Sequence, residues 1–148
     1  METNLDKSKE VNYLLKHLLR TGANLEKAGN RILSEYHLNQ QQFIVLNEIV
    51  RKKTMTPNEI VLELGYEKSN ISKIIKKLKV LKYLESVLNP DDHRSIILKP
   101  TTIGIKIWKQ GIHKLNKDNN IMFQKISIED IIIMKESVHM ISNIIFRK

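Results

Sequence analysis

Two short helical patterns meeting at one glycine constrain this chain more than any other feature. Thr56-Pro57-Asn58-Glu59 is a strong helix start, with a threonine to cap, a proline at the first helical position and a glutamate three residues after the cap. That helix runs only to about Leu64, where Gly65 permits a tight turn, and a second amphipathic pattern follows at Ile71, Ile74, Ile75, Leu78 and Leu81. Two helices joined in this way form a helix-turn-helix, whose second member is shaped to enter a major groove. After Tyr83 the texture changes. Glu85-Ser86-Val87-Leu88 and Ser95-Ile96-Ile97-Leu98-Lys99 read as strands flanking the turn Asn89-Pro90-Asp91-Asp92-His93-Arg94. A hairpin directly after a helix-turn-helix is a wing, a second projection that can follow a nucleic-acid backbone.

The flanks are helical. From about Ser8 to Tyr36, Val11, Leu14, Leu15, Leu18, Leu25, Ala28, Ile32 and Leu33 recur at the spacing of one helical face. Gly22 and Gly29 weaken that helix by about 1 kcal/mol each relative to alanine, so packing against other elements or a partner must hold it straight. Asn39 and Gln42 have capping-box spacing ahead of Phe43, Leu46, Ile49 and Val50. Pro100 ends the second strand, Thr101 caps a strongly apolar helix running to about Phe123, and Ser127 with Asp130 opens a last helix rich in isoleucine. The expected fold class is mainly α with a small β-hairpin wing. Residues 1–148 are expected to form a single domain, with a winged helix-turn-helix lobe at 36–99 and dimerisation helices at 1–35 and 100–148.

Composition narrows the functions open to such a chain. The formal charge is +9, which favours polyanionic partners without choosing between nucleic acid and an anionic surface. Its distribution says more: residues 51–82 carry nine Lys or Arg against three Glu, a net +6, leaving +3 for the remaining 116 residues. There are no cysteines, which excludes disulfides, thiolate metal sites and cysteine redox switches. The polar, mixed-charge start does not resemble a signal peptide, and the longest apolar runs are far short of the roughly 20 residues that span a bilayer, so a cytoplasmic protein without membrane contact is expected.

On the second helix of the pair the isoleucines and leucines face inward and leave Lys68, Ser69, Asn70, Ser72, Lys73, Lys76 and Lys77 for other faces. Serine and asparagine are poor interior helix formers but good hydrogen-bonding groups toward base edges and phosphates, and lysines suit phosphates. The expected contacts are Ser69, Asn70, Ser72 and Lys73 in a major groove, with Lys68, Lys76 and Lys77 on phosphates. In the wing, the Asp92 carboxylate is placed to hold either the Arg94 guanidinium or a backbone amide, so that Arg94 or His93 can reach a minor groove.

From about Tyr36 to Gly104 the chain resembles the MarR (multiple-antibiotic-resistance regulator) family of bacterial winged-helix regulators. The resemblance rests on Leu38-Asn39-Gln40-Gln41-Gln42-Phe43, Thr56-Pro57-Asn58-Glu59-Ile60, Leu64-Gly65-Tyr66 with Lys68-Ser69-Asn70-Ile71-Ser72, the turn Asn89 to Arg94, and Thr101-Thr102-Ile103-Gly104. It implies a homodimer joined through its first, fifth and sixth helices, with a recognition helix from each subunit in successive major grooves of a pseudo-palindromic operator and the wings in flanking minor grooves. Three positions depart from the pattern: His93 stands where arginine is frequent, Asn89 where aspartate is, and Pro100 where an apolar residue is. His93 would make the charge of the tip pH-sensitive in principle.

The resemblance also implies a possible small-molecule effector, which these residues do not name. His17, His37, His113 and His139 are scattered, with no two at i, i+4, so neither a metal nor another cofactor is expected. Trp108, Tyr13 and Tyr36 fit core packing better than an aromatic pocket. Neither a nucleophile elbow, a phosphate-binding loop, a zinc-protease motif nor a dinucleotide fingerprint is present, so no enzyme is expected. The alternative to an operator-binding regulator, expected in this class to be a repressor, is a winged helix used as an architectural or protein-interaction module.

Overall fold

The computed structural model describes residues 6–146; the outermost residues assigned above to the dimerisation segments, 1–5 and 147–148, lie outside that range. The chain divides into two compact units, one ending at Lys114 and one beginning at Leu115. The first contains helix α1 (Lys7–Leu33), a short 3-10 turn (Ser34–Tyr36), α2 (Gln40–Lys52), α3 (Pro57–Leu64), α4 (Lys68–Val80), strands β1 (Leu84–Leu88) and β2 (Ile96–Pro100), and the start of α5 (Thr102–Met122). The second contains the end of α5 and α6 (Ile128–Ile145).

The helix starts are fixed by the side chains that the sequence offered. At α2 the Asn39 carboxamide accepts from the Gln42 amide at 2.8 Å while the Gln42 side chain accepts from the Asn39 amide at 3.0 Å. At α3 Thr56 Oγ1 accepts from the Glu59 amide at 3.2 Å and the Glu59 carboxylate accepts from the Thr56 amide at 2.7 Å. Both are complete capping boxes. Gly65 closes α3 in the left-handed conformation, φ 66°, its amide donating to the Val61 carbonyl. The hydroxyl of Thr101 accepts from the Gly104 amide at 2.9 Å at the start of α5, and Ser127 Oγ accepts from the Asp130 amide at 3.1 Å at α6.

Leu33, Leu46, Ile49, Met55, Ile60, Ile71, Leu78 and Leu98 are fully buried and together form the core of the first unit. They come from α1, α2, α3, α4, β2 and the α2–α3 connection, so the two helices of the pair and the hairpin share one hydrophobic centre. The hairpin is antiparallel, with Leu84 opposite Pro100 and Leu88 opposite Ile96. Met55 adds one bridge to it, exchanging backbone bonds with Leu98 at 3.0 and 2.8 Å, a pairing too short to announce itself in the sequence. Tyr36 is buried and Trp108 half-buried, the indole donating to Asn47 Oδ1 at 2.9 Å, as core packing requires. Tyr13 departs from that expectation: it is 64% exposed and lies against the His17 ring, because this stretch of α1 presents Val11, Leu14, Leu15 and Leu19 to solvent as well. In the second unit α6 has no buried residue at all.

Candidate nucleic-acid interface

Helix α4 is two-faced. Ile71, Ile74, Ile75 and Leu78 are buried, while Ser69, Ser72, Lys73 and Lys76 recur at i, i+3, i+4 and i+7 on the exposed side. Lys68 and Lys77 flank that stripe and are also exposed. The N-terminus of α4 has no side-chain cap, since Glu67 occupies the cap position without bonding inward. Its first amides therefore add their positive dipole end to the lysines, which favours an approaching phosphate. Ser72 Oγ donates back to the Lys68 carbonyl at 3.0 Å and retains its acceptor lone pairs.

Asn70 sits differently from its neighbours. It is half-buried, and its Nδ2 donates to Gln41 Oε1 at 3.1 Å; Gln41 Nε2 in turn donates to Glu26 Oε1 at 3.1 Å. Three helices are thereby tied together at the first turn of α4. Burial, with the charge of Glu26 adding to it, raises the Tyr66 hydroxyl above its ordinary pKa just before that turn, so the phenol stays neutral.

The hairpin tip is organised by its own polar residues. Asn89 Oδ1 accepts from the Asp91 amide at 3.0 Å and Asn89 Nδ2 donates to Ser95 Oγ at 3.1 Å. An aspartate at position 89 would lack that second donation. Of the two roles open to Asp92, the carboxylate takes the backbone amide: Oδ1 accepts from the Arg94 N–H at 3.0 Å. Asp91, Asp92, His93 and Arg94 are all exposed. The guanidinium of Arg94 makes no ion pair among the described residues.

Two lysines that sequence reasoning did not single out brace the hairpin. Lys79 Nζ donates to Ser86 Oγ at 2.8 Å, tying α4 to β1, and Lys99 pairs with Glu85 across the strands at 3.3 Å. Lys79 lay among many similar lysines, and only the fold distinguishes it. Farther from the tip, Tyr83 donates its hydroxyl to the Tyr36 carbonyl at 3.0 Å, and burial raises that hydroxyl's pKa. Lys52 bonds Glu63 at 2.7 Å across α2 and α3, an exposed pair whose hydrogen bond raises the lysine's pKa.

A helix-turn-helix whose second helix exposes a hydroxyl and lysine stripe, followed by a hairpin packed on the same core, defines a winged-helix protein. Residues 37–95 match the sequence model of the MarR family. A helix-turn-helix transcriptional regulator of uncharacterised role, YsmB of Bacillus subtilis (strain 168), is 24% identical over 133 residues, covering 90% of this chain and 91% of the relative. Among solved structures, a mutant MarR from E. coli complexed with operator DNA superimposes with a TM-score of 0.81 at 20% identity, covering 92% of this chain and 98% of that one. A MarR protein from Peptoclostridium difficile gives 0.82 at 19% identity, over 98% and 92%. An organohalide-sensing transcriptional regulator in its 2,4-dichlorophenol-bound form gives 0.79 at 16% identity, over 97% and 84%. Residues 37–95 are thus similar to the MarR family's sequence model, and the described residues have the winged-helix fold of the MarR structures.

Proposed function

We propose that this chain is a sequence-specific double-stranded DNA-binding transcriptional regulator, a repressor, acting as a homodimer on a pseudo-palindromic operator in the bacterial cytoplasm. The observation that carries the reading is the outward stripe Ser69, Ser72, Lys73 and Lys76 on the face of α4 opposite its buried isoleucines. Such a face offers hydroxyls and ammonium groups toward base edges and phosphates at the spacing a groove-lying helix requires. Lys68 and Lys77 extend the contacts along the backbone, Asn70 serves at the groove-side start of the helix, and Arg94 with His93, on a turn held by Asp92, reaches the flanking minor groove.

Dimerisation is supported by the terminal helices. Leu14, Leu15 and Leu19 of α1 are exposed, as are Ile133, Met140 and Ile144 of α6, and each of these unpartnered apolar faces supports an interaction site. No helix among the described residues is long and apolar enough to cross a membrane. Residues 1–35 and 100–148 thus serve the dimer and 36–99 the DNA. The likeness to a regulator solved with a chlorophenol supports a small molecule as the class of effector. In this reading the chain regulates and catalyses nothing.

Selection of bound duplexes from a random pool tests the proposal. A palindromic consensus is expected, with half-sites about one helical turn apart. Binding with no consensus would overturn it in favour of an architectural module.

A further inference from the structure

One groove of the first unit belongs neither to the recognition helix nor to the wing. It lies on the C-terminal half of α1 and is lined by Asn24, Lys27, Asn30 and Arg31, two amides and two cations with no carboxylate among them. Asn24, Lys27 and Arg31 follow the spacing i, i+3, i+7 and share one exposed face of the helix. Asn30 beside them is half-buried and anchored, its Oδ1 accepting from the Gln40 amide at 2.7 Å. Neither Lys27 nor Arg31 forms an ion pair among the described residues. The carboxylates nearest to them in sequence are engaged elsewhere, Glu26 by Gln41 at 3.1 Å and Glu35 by Lys114.

The groove borders the end of the lobe that begins the recognition helix. Gln41 bonds both Glu26 and Asn70, so the turn of α1 that carries Lys27 stands one glutamine side chain away from the first turn of α4. That first turn has no side-chain cap, and its free amides favour a phosphate. We propose that Lys27 and Arg31 bind backbone phosphates of the operator beside the start of the recognition helix, making α1 a third DNA-contacting element after α4 and the wing. Lysine supplies a point charge and arginine a fork that matches two phosphate oxygens. This rests on the operator reading above and goes beyond it by giving a second role to a helix otherwise assigned to the dimer.

The full chain, Lys27→Gln, Arg31→Gln and the double variant are to be titrated on the selected operator and on an unrelated duplex at several salt concentrations, with thermal unfolding confirming that each folds. Lys16→Gln removes an exposed α1 charge outside the groove and is the control. In the double variant the slope of log affinity against log salt is expected to become shallower by roughly 1.8, about 0.9 for each phosphate lost, and each single variant should show about half of that. The loss should be alike on both duplexes and the selected consensus unchanged, because phosphates carry no sequence. Lys16→Gln should keep the parent slope. An unchanged slope in the double variant, or an equal loss in Lys16→Gln, overturns the α1 contacts while leaving the operator reading intact. If the double variant instead loses only binding of inorganic phosphate that the parent shows, the groove holds a free anion and the proposal fails. A parent that selects no consensus overturns the operator reading, and the slopes on unrelated duplex then judge the α1 contacts by themselves.

Discussion

Gly104 of α5 lies directly against the carbonyl of Tyr83: a β-carbon on residue 104 would sit 2.0 Å from that oxygen and 2.8 Å from its carbon. The contact holds α5 to the end of the recognition segment, because the same carbonyl accepts from the Thr101 amide at 3.0 Å and Thr101 Oγ1 donates to the Lys82 carbonyl at 2.6 Å. The obstacle is backbone, which cannot rotate aside, so Gly104→Ala must displace the helix start. It is expected to destabilise the protein by about 2 kcal/mol or more. Gly22→Ala is the control: nothing lies within 4 Å of a β-carbon there, and helix propensity alone should stabilise it by up to about 1 kcal/mol. Denaturant unfolding of both variants checks the opposite signs. Equal effects would mean that close packing at Gly104 does not govern the joint.

The capping box of α3 carries a pH signature. The Glu59 carboxylate is held below its ordinary pKa, first by the backbone amide of Thr56 and then by the Thr56 hydroxyl. A carboxylate lowered on folding contributes stability that is present above its unfolded pKa, about 4.3, and is lost as the pH falls through the folded value. Thr56→Ala is expected to cost about 1 kcal/mol at neutral pH, the usual worth of such a cap. The gap between variant and parent should narrow below about pH 4, where the unfolded carboxyl is protonated. Unfolding midpoints measured from pH 3 to 7 test this, and a pH-independent gap would remove Glu59 from the account.

Much of this architecture was legible because it is specified locally. Thr56 with Glu59, Asn39 with Gln42, Gly65 and the Asn89 to Arg94 turn each write their hydrogen bonds into a few consecutive residues, and the structure places them as expected. Long-range contacts were less accessible. Gln41 looked no different from Gln40 beside it, and nothing local distinguishes the one that reaches Asn70 across 29 positions. The same is true of Lys79, whose partner Ser86 lies on the next element. Asn70 appeared from sequence to be another free groove residue beside Ser69, whereas the fold engages its Nδ2 and exposes Ser69. Tyr13 read as core because α1 is amphipathic, yet amphipathicity does not tell a face that packs within the chain from one awaiting another surface.

The wing offers a separation of charge from geometry. Asp92→Asn and Asp92→Ala remove the same negative charge, but only asparagine can still accept from the Arg94 amide as the parent does at 3.0 Å. Any difference in operator affinity between the two variants therefore isolates the hydrogen bond that shapes the tip. Asp92→Ala is expected to bind about two- to fivefold more weakly than Asp92→Asn. Arg94→Ala should weaken binding about tenfold and lower the steepness of the salt dependence by roughly one. Titration of labelled operator at several salt concentrations decides both points, and an unchanged affinity in Arg94→Ala would detach the wing from DNA.

Helix α6 leaves an apolar surface open. Ile133 and Ile144 are 63% and 66% exposed, and with Met140 they follow the spacing i, i+7, i+11 along one side of the helix. Single exposed apolar residues are ordinary, but a helix of 18 residues with none buried has no folding reason to be so apolar. Association with a second copy supplies that reason. Ile133→Glu would then place a charge in a dry interface, which costs about 2–4 kcal/mol and should raise the dimer dissociation constant roughly a hundredfold. The helical content of the monomer should be retained, since Ile133 is mostly exposed in its own chain. Sedimentation velocity across a concentration series reads the outcome directly. A monomer that keeps its circular dichroism and binds only half-sites weakly is the expected result. A fully dimeric Ile133→Glu protein would move the interface to α1, where Leu14→Glu and Leu19→Glu provide the equivalent test.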